Sequence, residues 1–266
     1  MGVLRGLEAL KTCVVNRVWR PLIIMWLGLL CGVGSVFGGP IDPHDVMQRI
    51  EPAYQGVTDY TALFLKRERI GGTVRPLEKI EFRFQSPFKV YMAWQEPNPG
   101  RTIVYVEGEN NNKMQVNPGG ALQMLRLSLD PSNYLATRNN HQTIRQAGLG
   151  NLVNLILGQY RRGTKSGQIT LRSLGDGEVD GRPAYRLSLL CHADQSAGYY
   201  AKRADIWIDK AQHLPTRLLV YSWDNQLYAH YEYRRLKLNP GLGPEAFKLP
   251  PVELMQPVSA EPDHEG

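Results

Sequence analysis

Between residues 60 and 238 the chain repeatedly alternates apolar and polar side chains, and turn residues break the alternation at short intervals. A period of two is the spacing of a half-buried β-strand, because successive side chains point to opposite faces. The cleanest case is 79–85, where Ile80, Phe82 and Phe84 alternate with Glu81, Arg83 and Gln85. Segments 60–69, 88–94, 102–107, 113–116 and 122–129 read the same way, separated by Gly71-Gly72, Ser86-Pro87, Pro97-Asn98-Pro99-Gly100, 109–112 and Gly119-Gly120. A second run covers 168–174, 182–191, 203–208, 216–222 and 227–238, with turns expected at Asp176-Gly177 and Asp224-Asn225. Strands at this spacing form an antiparallel meander.

Helical spacing occurs in two places. Asp42 followed by Pro43 predicts a cap and first helical position, with Val46, Ile50 and Tyr54 as one stripe and Pro52 kinking or shortening the helix. Leu149, Leu152, Val153, Ile156 and Leu157 predict a helix between Gly148 and Gly163, with Arg161 and Arg162 at its negative end. The expected fold is therefore α+β and mainly antiparallel: about ten or eleven strands with two or three helices. So few helices cover only part of a sheet face, which predicts a groove.

Residues 1–20 carry Arg5, Lys11, Arg17 and Arg20 against Glu8, and 22–38 carry no charge. A basic lead, a short apolar run and small residues are the layout of a secretory signal, with cleavage expected after Gly38 or Gly39. The uncharged run approaches the ~20 residues that span a bilayer, so an uncleaved anchor is the alternative. Leu30 before Cys31 speaks against lipidation. Either way the following domain, 40–250, is expected outside the cytoplasm. Beyond Pro250 the sequence is rich in Pro, Glu and polar residues and reads as a disordered tail.

The formal charge of +6 falls to +3 without residues 1–39, whose basic side chains outnumber Glu8 by three. Basicity thus belongs largely to the lead, and a nucleic-acid partner is not implied. Cys191 is the one cysteine beyond the lead, so a packed core rather than disulfides must hold the fold. His44, His141, His192, His213, His230 and His264 show no ligand spacing, and no metal or cofactor is expected. No GxSxG occurs, Cys191 and His192 point to opposite strand faces, and the glycine pairs close hairpins rather than start phosphate-binding helices. Lys66, Glu68, Glu81 and Arg83 read as cross-strand ion pairs rather than catalytic groups. The expectation is a protein that binds something and is not an enzyme.

Several segments resemble domain-of-unknown-function family 1571, a family of exported bacterial proteins. They are the run from Tyr60 to Arg69 (YTALFLKRER), 87–92 (PFKVYM), Gly100-Arg101 with 105–108 (YVEG), Leu129-Asp130-Pro131, and Ile144 with Gly148-Leu149. Trp207-Ile208-Asp209, Leu214-Pro215 with Arg217, and Phe247 are similar to the wider LolA, LolB and RseB superfamily. That resemblance implies an open, curved half-barrel with helices on its concave face, and no catalytic residues. It implies a periplasmic carrier holding a lipid or the acyl chain of a lipoprotein, or alternatively an RseB-like peptide-binding or sensing module with a membrane-protein partner. Alternation selects Phe82, Phe84, Met92, Trp94, Leu125, Leu127, Ile206, Ile208, Leu218 and Val220 as the candidate groove.

Overall fold

A computed structural model describes residues 41–251. Twelve antiparallel strands form one sheet: β1 Asp59–Ile70, β2 Thr73–Val74, β3 Glu78–Gln85, β4 Lys89–Glu96, β5 Thr102–Val106, β6 Met114–Asn117, β7 Leu127–Leu129, β8 Ile169–Val179, β9 Arg182–Cys191, β10 Arg203–Asp209, β11 Pro215–Tyr221 and β12 Leu227–Leu238. The order is β7-β6-β5-β4-β3-β1-β12-β11-β10-β9-β8, with the short β2 paired to β1. Two consecutive meanders are thus joined where β1 meets β12. The sheet does not close, since β7 and β8 end the path as edges. It is the antiparallel meander that the alternation implies, in the open half-barrel form with helices that the resemblance implies.

The inward rows follow the period of two. Tyr60, Ala62 and Phe64 of β1, Ile80, Phe82 and Phe84 of β3, Val90, Met92 and Trp94 of β4, and Ile206 and Ile208 of β10 all enter one buried cluster. Helices α1 (Pro43–Gln55) and α3 (Leu149–Ser166) pack on this concave face toward β8 and β11, and the brief α2 (Tyr134–Thr137) lies in the chain between β7 and α3. On the opposite face Tyr91, Val104 and Phe247 form a small second cluster, because the chain after β12 crosses the outside of β3–β5.

Four local expectations are corrected. Strand β8 runs on through Gly177, and the turn comes at Asp180-Gly181, where both residues have positive φ. Such a pair suits a two-residue hairpin turn. Helix α3 continues through Gly163 to Ser166 and is closed by Gly167 in the left-handed conformation. Segment 122–126 is not strand, since Gly120–Leu122 is a helical turn and β7 begins at Leu127. Finally, α1 passes Pro52 to Gln55, because Ala53 and Tyr54 beyond it pack on the core. The readings of 1–39 as signal or anchor and of the tail after Pro251 lie outside the described residues.

Candidate functional site

The two halves of the concave face are covered differently. Over β8–β11 lie α1 and α3, with regular apolar stripes. Over β4–β6 the cover is residues 130–148, largely irregular chain with only α2 and one short helical turn, Ile144–Gln146. Between the two covers is a hollow of about 100 Å³. The sheet supplies Phe64, Met92, Trp94, Ile103, Met114, Tyr231 and Tyr233; α3 and its entry supply Gly148, Leu152 and Leu155; the irregular cover supplies Ala136, Ile144 and Ala147. Phe64 stacks on Tyr233 at 4.8 Å and on Tyr231 at 6.1 Å, giving the hollow a flat aromatic floor.

The N-terminus of α3 is fixed from the sheet. Gly148, at φ +102°, brings no side-chain cap, and the Leu149 amide instead donates to the Tyr60 hydroxyl at 2.6 Å. A Cβ at Gly148 would stand 2.8 Å from that oxygen, so the position needs glycine for space as well as for φ.

Polarity rises along β1. After Tyr60, Ala62 and Phe64 the inward row continues with Lys66 and Glu68, both buried. Lys66 Nζ lies 3.3 Å from Glu68 and 3.6 Å from Glu78, and also donates to Asn140 Oδ1. Glu68 accepts from the Tyr231 hydroxyl at 2.5 Å and from the His141 amide at 3.2 Å. Glu78 accepts from Trp94 Nε1 at 2.8 Å. Burial raises the Tyr231 pKa well above its usual value, with Tyr200 and Glu68 adding, so the phenol stays protonated as a donor. Asn140 and His141 belong to the irregular cover, so this cluster also tethers the cover to the sheet. Further ties are Asn151 Nδ2 to Gln142 at 3.0 Å and Arg145 Nε to the Tyr105 hydroxyl at 3.2 Å.

The expected ion-pair set is therefore split. Lys66 and Glu68 face inward with Glu78, whereas Arg83 pairs with Glu81 at 2.6 Å on the other face. Of the ten candidate groove residues, Met92 and Trp94 line the hollow. Leu218 and Val220 line a smaller space of about 40 Å³ across α3, which shares Leu155 with the first. Phe82, Phe84, Ile206 and Ile208 lie in the filled core around these spaces. Leu125 and Leu127 are exposed and stand apart from them, with Leu122, Met124, Tyr134 and Leu135 as exposed neighbours in the same stretch of chain. Alternation missed the lining from Ala136 to Gly148, because that chain has no strand period, and Asn151, which sits on the first turn of α3. It also missed Arg101, whose guanidinium stands 4.5 Å over the Trp94 ring.

Among the described residues no cluster of His, Cys, Asp and Glu could hold a metal, and no helix is long and apolar enough to cross a membrane. Cys191 is buried and unpaired.

Fold and hollow together define an open antiparallel half-barrel with an apolar hollow on its concave face. The family model described as a protein of unknown function, DUF1571, matches residues 57–253, and the chain belongs to that family. None of the curated proteins matches it. Among solved structures it is similar to MucB in the Pseudomonas aeruginosa MucA/MucB complex, at 17% identity over 78% of this chain and 61% of that one, with a TM-score of 0.45. The Mycobacterium tuberculosis lipoprotein LppX is 12% identical over 76% of this chain and 99% of that one, TM-score 0.46. A LolA superfamily protein from Nitrosomonas europaea is 13% identical over 79% and 98%, TM-score 0.33. The chain thus spans less than two thirds of MucB's length.

Proposed function

We propose that this protein is a binding and carrier module that takes an apolar chain, a lipid or the acyl end of a lipoprotein, into the hollow between sheet and cover. The observation that carries the reading is the gap in the helical cover, lined by Phe64, Met92, Ile103, Met114, Leu152 and Leu155 and charged at one end only. At about 100 Å³ the hollow matches the volume of about three water molecules and is smaller than the ~300 Å³ of an ordinary ligand pocket. A chain therefore enters as residues 130–148 move outward. The ties of that cover are single hydrogen bonds, most of them to charged groups and contributing about 1.5–3 kcal/mol each. Burying a ten-carbon chain at ~0.8 kcal/mol per methylene offsets several of them. The proposal places the domain outside the cytoplasm, in a periplasm, with residues 1–39 as export signal or anchor.

A second reading has its own support. Asn140, Gln142, Gln146 and Asn151 place amide side chains in the lining, and these suit the backbone of an extended peptide. Native mass spectrometry after gentle extraction separates the two. The carrier reading expects co-purifying lipid, uptake of a fluorescent fatty acid, and loss of uptake in a folded Ala147→Phe variant that fills the hollow. A protein that carries no lipid, ignores the fatty acid, and instead holds apolar peptides supports the second reading and removes the first.

A further inference from the structure

We infer that the charged end of the hollow is a site for one anionic headgroup, so that the guest is an anionic amphiphile, a long chain ending in an oxyanion, rather than a neutral lipid. The inference rests on the carrier reading and adds the chemical class of its ligand.

It follows from which charges at that end are already engaged. Glu68 is held by Lys66, the Tyr231 hydroxyl and the His141 amide. Glu78 is held by Lys66 and Trp94 Nε1. Lys66 is in turn saturated by the two carboxylates and Asn140. Arg101 is different. It lines the same hollow, yet among the described residues its guanidinium has neither an ion-pair partner nor a hydrogen-bond acceptor. Its one contact of note is with the face of Trp94, at 4.5 Å, and a ring-face contact uses none of the five N–H donors.

A half-buried guanidinium with no protein acceptor leaves its donors to water, and it is shaped to take a carboxylate or phosphate through two parallel hydrogen bonds. Burial lowers its pKa; Glu78 acts in the opposite sense, and the nearby charge of Arg138 from the cover lowers it further. Of the charged residues that line the hollow, Lys66 and Arg101 stand against Glu68, one surplus positive charge that a single monoanion balances, while Glu78 and the exposed Arg138 beside them offset each other. Arg101 also has a fixed address. Its carbonyl accepts from the Trp94 amide at 2.8 Å, so β4 and β5 hold residue and ring together before any ligand arrives. A chain lying over Phe64, Ile103 and Met114 would carry its head toward this pair, with Arg138 on the cover side.

The test is isothermal titration of the full chain with decanoate, 1-decanol and acetate, on the natural protein and on Arg101→Gln and Arg101→Lys variants whose thermal melts match it. The inference expects decanoate to bind tenfold or more tighter than decanol, the worth of a charge-assisted hydrogen bond to arginine. It expects Arg101→Gln to erase that advantage without changing decanol, Arg101→Lys to keep only part of it, and acetate to bind far more weakly than decanoate. Equal binding of decanoate and decanol, unmoved by either variant, overturns the inference and leaves the carrier reading intact. Acetate binding as tightly as decanoate overturns the amphiphile claim in favour of a free-anion site. Binding of neither chain removes both readings.

Discussion

Tyr60→Phe isolates one oxygen and asks how much of α3's placement depends on it. The ring is fully buried, stacked 5.8 Å from Phe82 and 5.3 Å from Phe84, and phenylalanine keeps both contacts. What disappears is the acceptor for the Leu149 amide, 2.6 Å away at the first residue of a helix whose cap position is glycine. Leu149 is itself fully buried, so water does not replace the lost partner. A buried donor left unsatisfied costs about 1–3 kcal/mol, and loss of an N-cap about 0.5–2 kcal/mol; these describe the same event, so about 2 kcal/mol is expected. For a domain of this size that lowers Tm by roughly 4–8 °C. Burial holds the Tyr60 pKa well above 10, so the effect is constant across neutral and mildly alkaline pH. Urea unfolding at pH 7 gives the magnitude, and hydrogen exchange gives the location, with the amides of the first turn of α3 losing protection ahead of α1. A loss below about 0.5 kcal/mol, or exchange that rises equally in both helices, would refute the view that the sheet caps this helix.

Gly163→Ala should destabilise despite better helix propensity, since the new Cβ would meet Ile169 Cδ1 and Cγ1 at 2.3 Å and Cβ at 2.6 Å. Overpacking of about 1–3 kcal/mol outweighs a gain of about 1 kcal/mol, and a double-mutant cycle with Ile169→Ala should show coupling of at least about 1 kcal/mol in chemical denaturation. Burial alone would raise Glu232, but hydrogen bonds from His230, Arg217 and Arg234 hold it far below the usual carboxylate range. Its folded value lies below its unfolded one of ~4.3, so its contribution is complete above that pH and fades as acid approaches the folded value. Glu232→Gln should therefore cost about 3 kcal/mol at pH 7, by urea melts, with the difference shrinking below pH 4. Asp209 accepts from the amides of Ala211 and Gln212 at 2.9 and 2.7 Å and from Arg182 at 2.5 Å; Asp209→Asn should cost about 1–2 kcal/mol and loosen the β10–β11 turn, read by exchange at Gln212.

Much of the fold was legible because alternation and turn chemistry agree over most strands, as in β3, where the inward Ile80, Phe82 and Phe84 face the core as read. Where two signals were chemically equal, sequence could not choose. Asp-Gly occurs at 176–177 and again at 180–181, and either could make a hairpin. Packing decides: a Cβ at Gly177 would meet Arg186 Cδ at 2.5 Å and Trp207 Nε1 at 3.0 Å, so that glycine serves a close approach within a strand. Gly163 looked like a helix stop for the same reason and is a contact with Ile169. The site was less legible than the fold. Period two shows that Lys66 and Glu68 share a face, but not that the face is the inner one, since their charge argues for solvent. Arg101 follows a Pro-Gly turn, and its meaning depends on Trp94 across the strand pair.

The unequal cover is the physical link between this fold and the proposed binding role. Helix α3 buries its stripe through many apolar contacts, and removing it would expose Leu149, Val153 and Ile156 together. Residues 130–148 have a different bond to the sheet: Asn140 accepts from Lys66, the His141 amide donates to Glu68, and Arg145 donates to Tyr105. Displacing an apolar helix costs burial that a guest must restore in full. Displacing polar ties returns those groups to water, which replaces most of their hydrogen-bond energy. A sheet with one half sealed by packing and the other closed by exchangeable polar contacts therefore opens at the second half first, and what lies beneath is Met92, Ile103, Met114 and the Arg101–Trp94 pair.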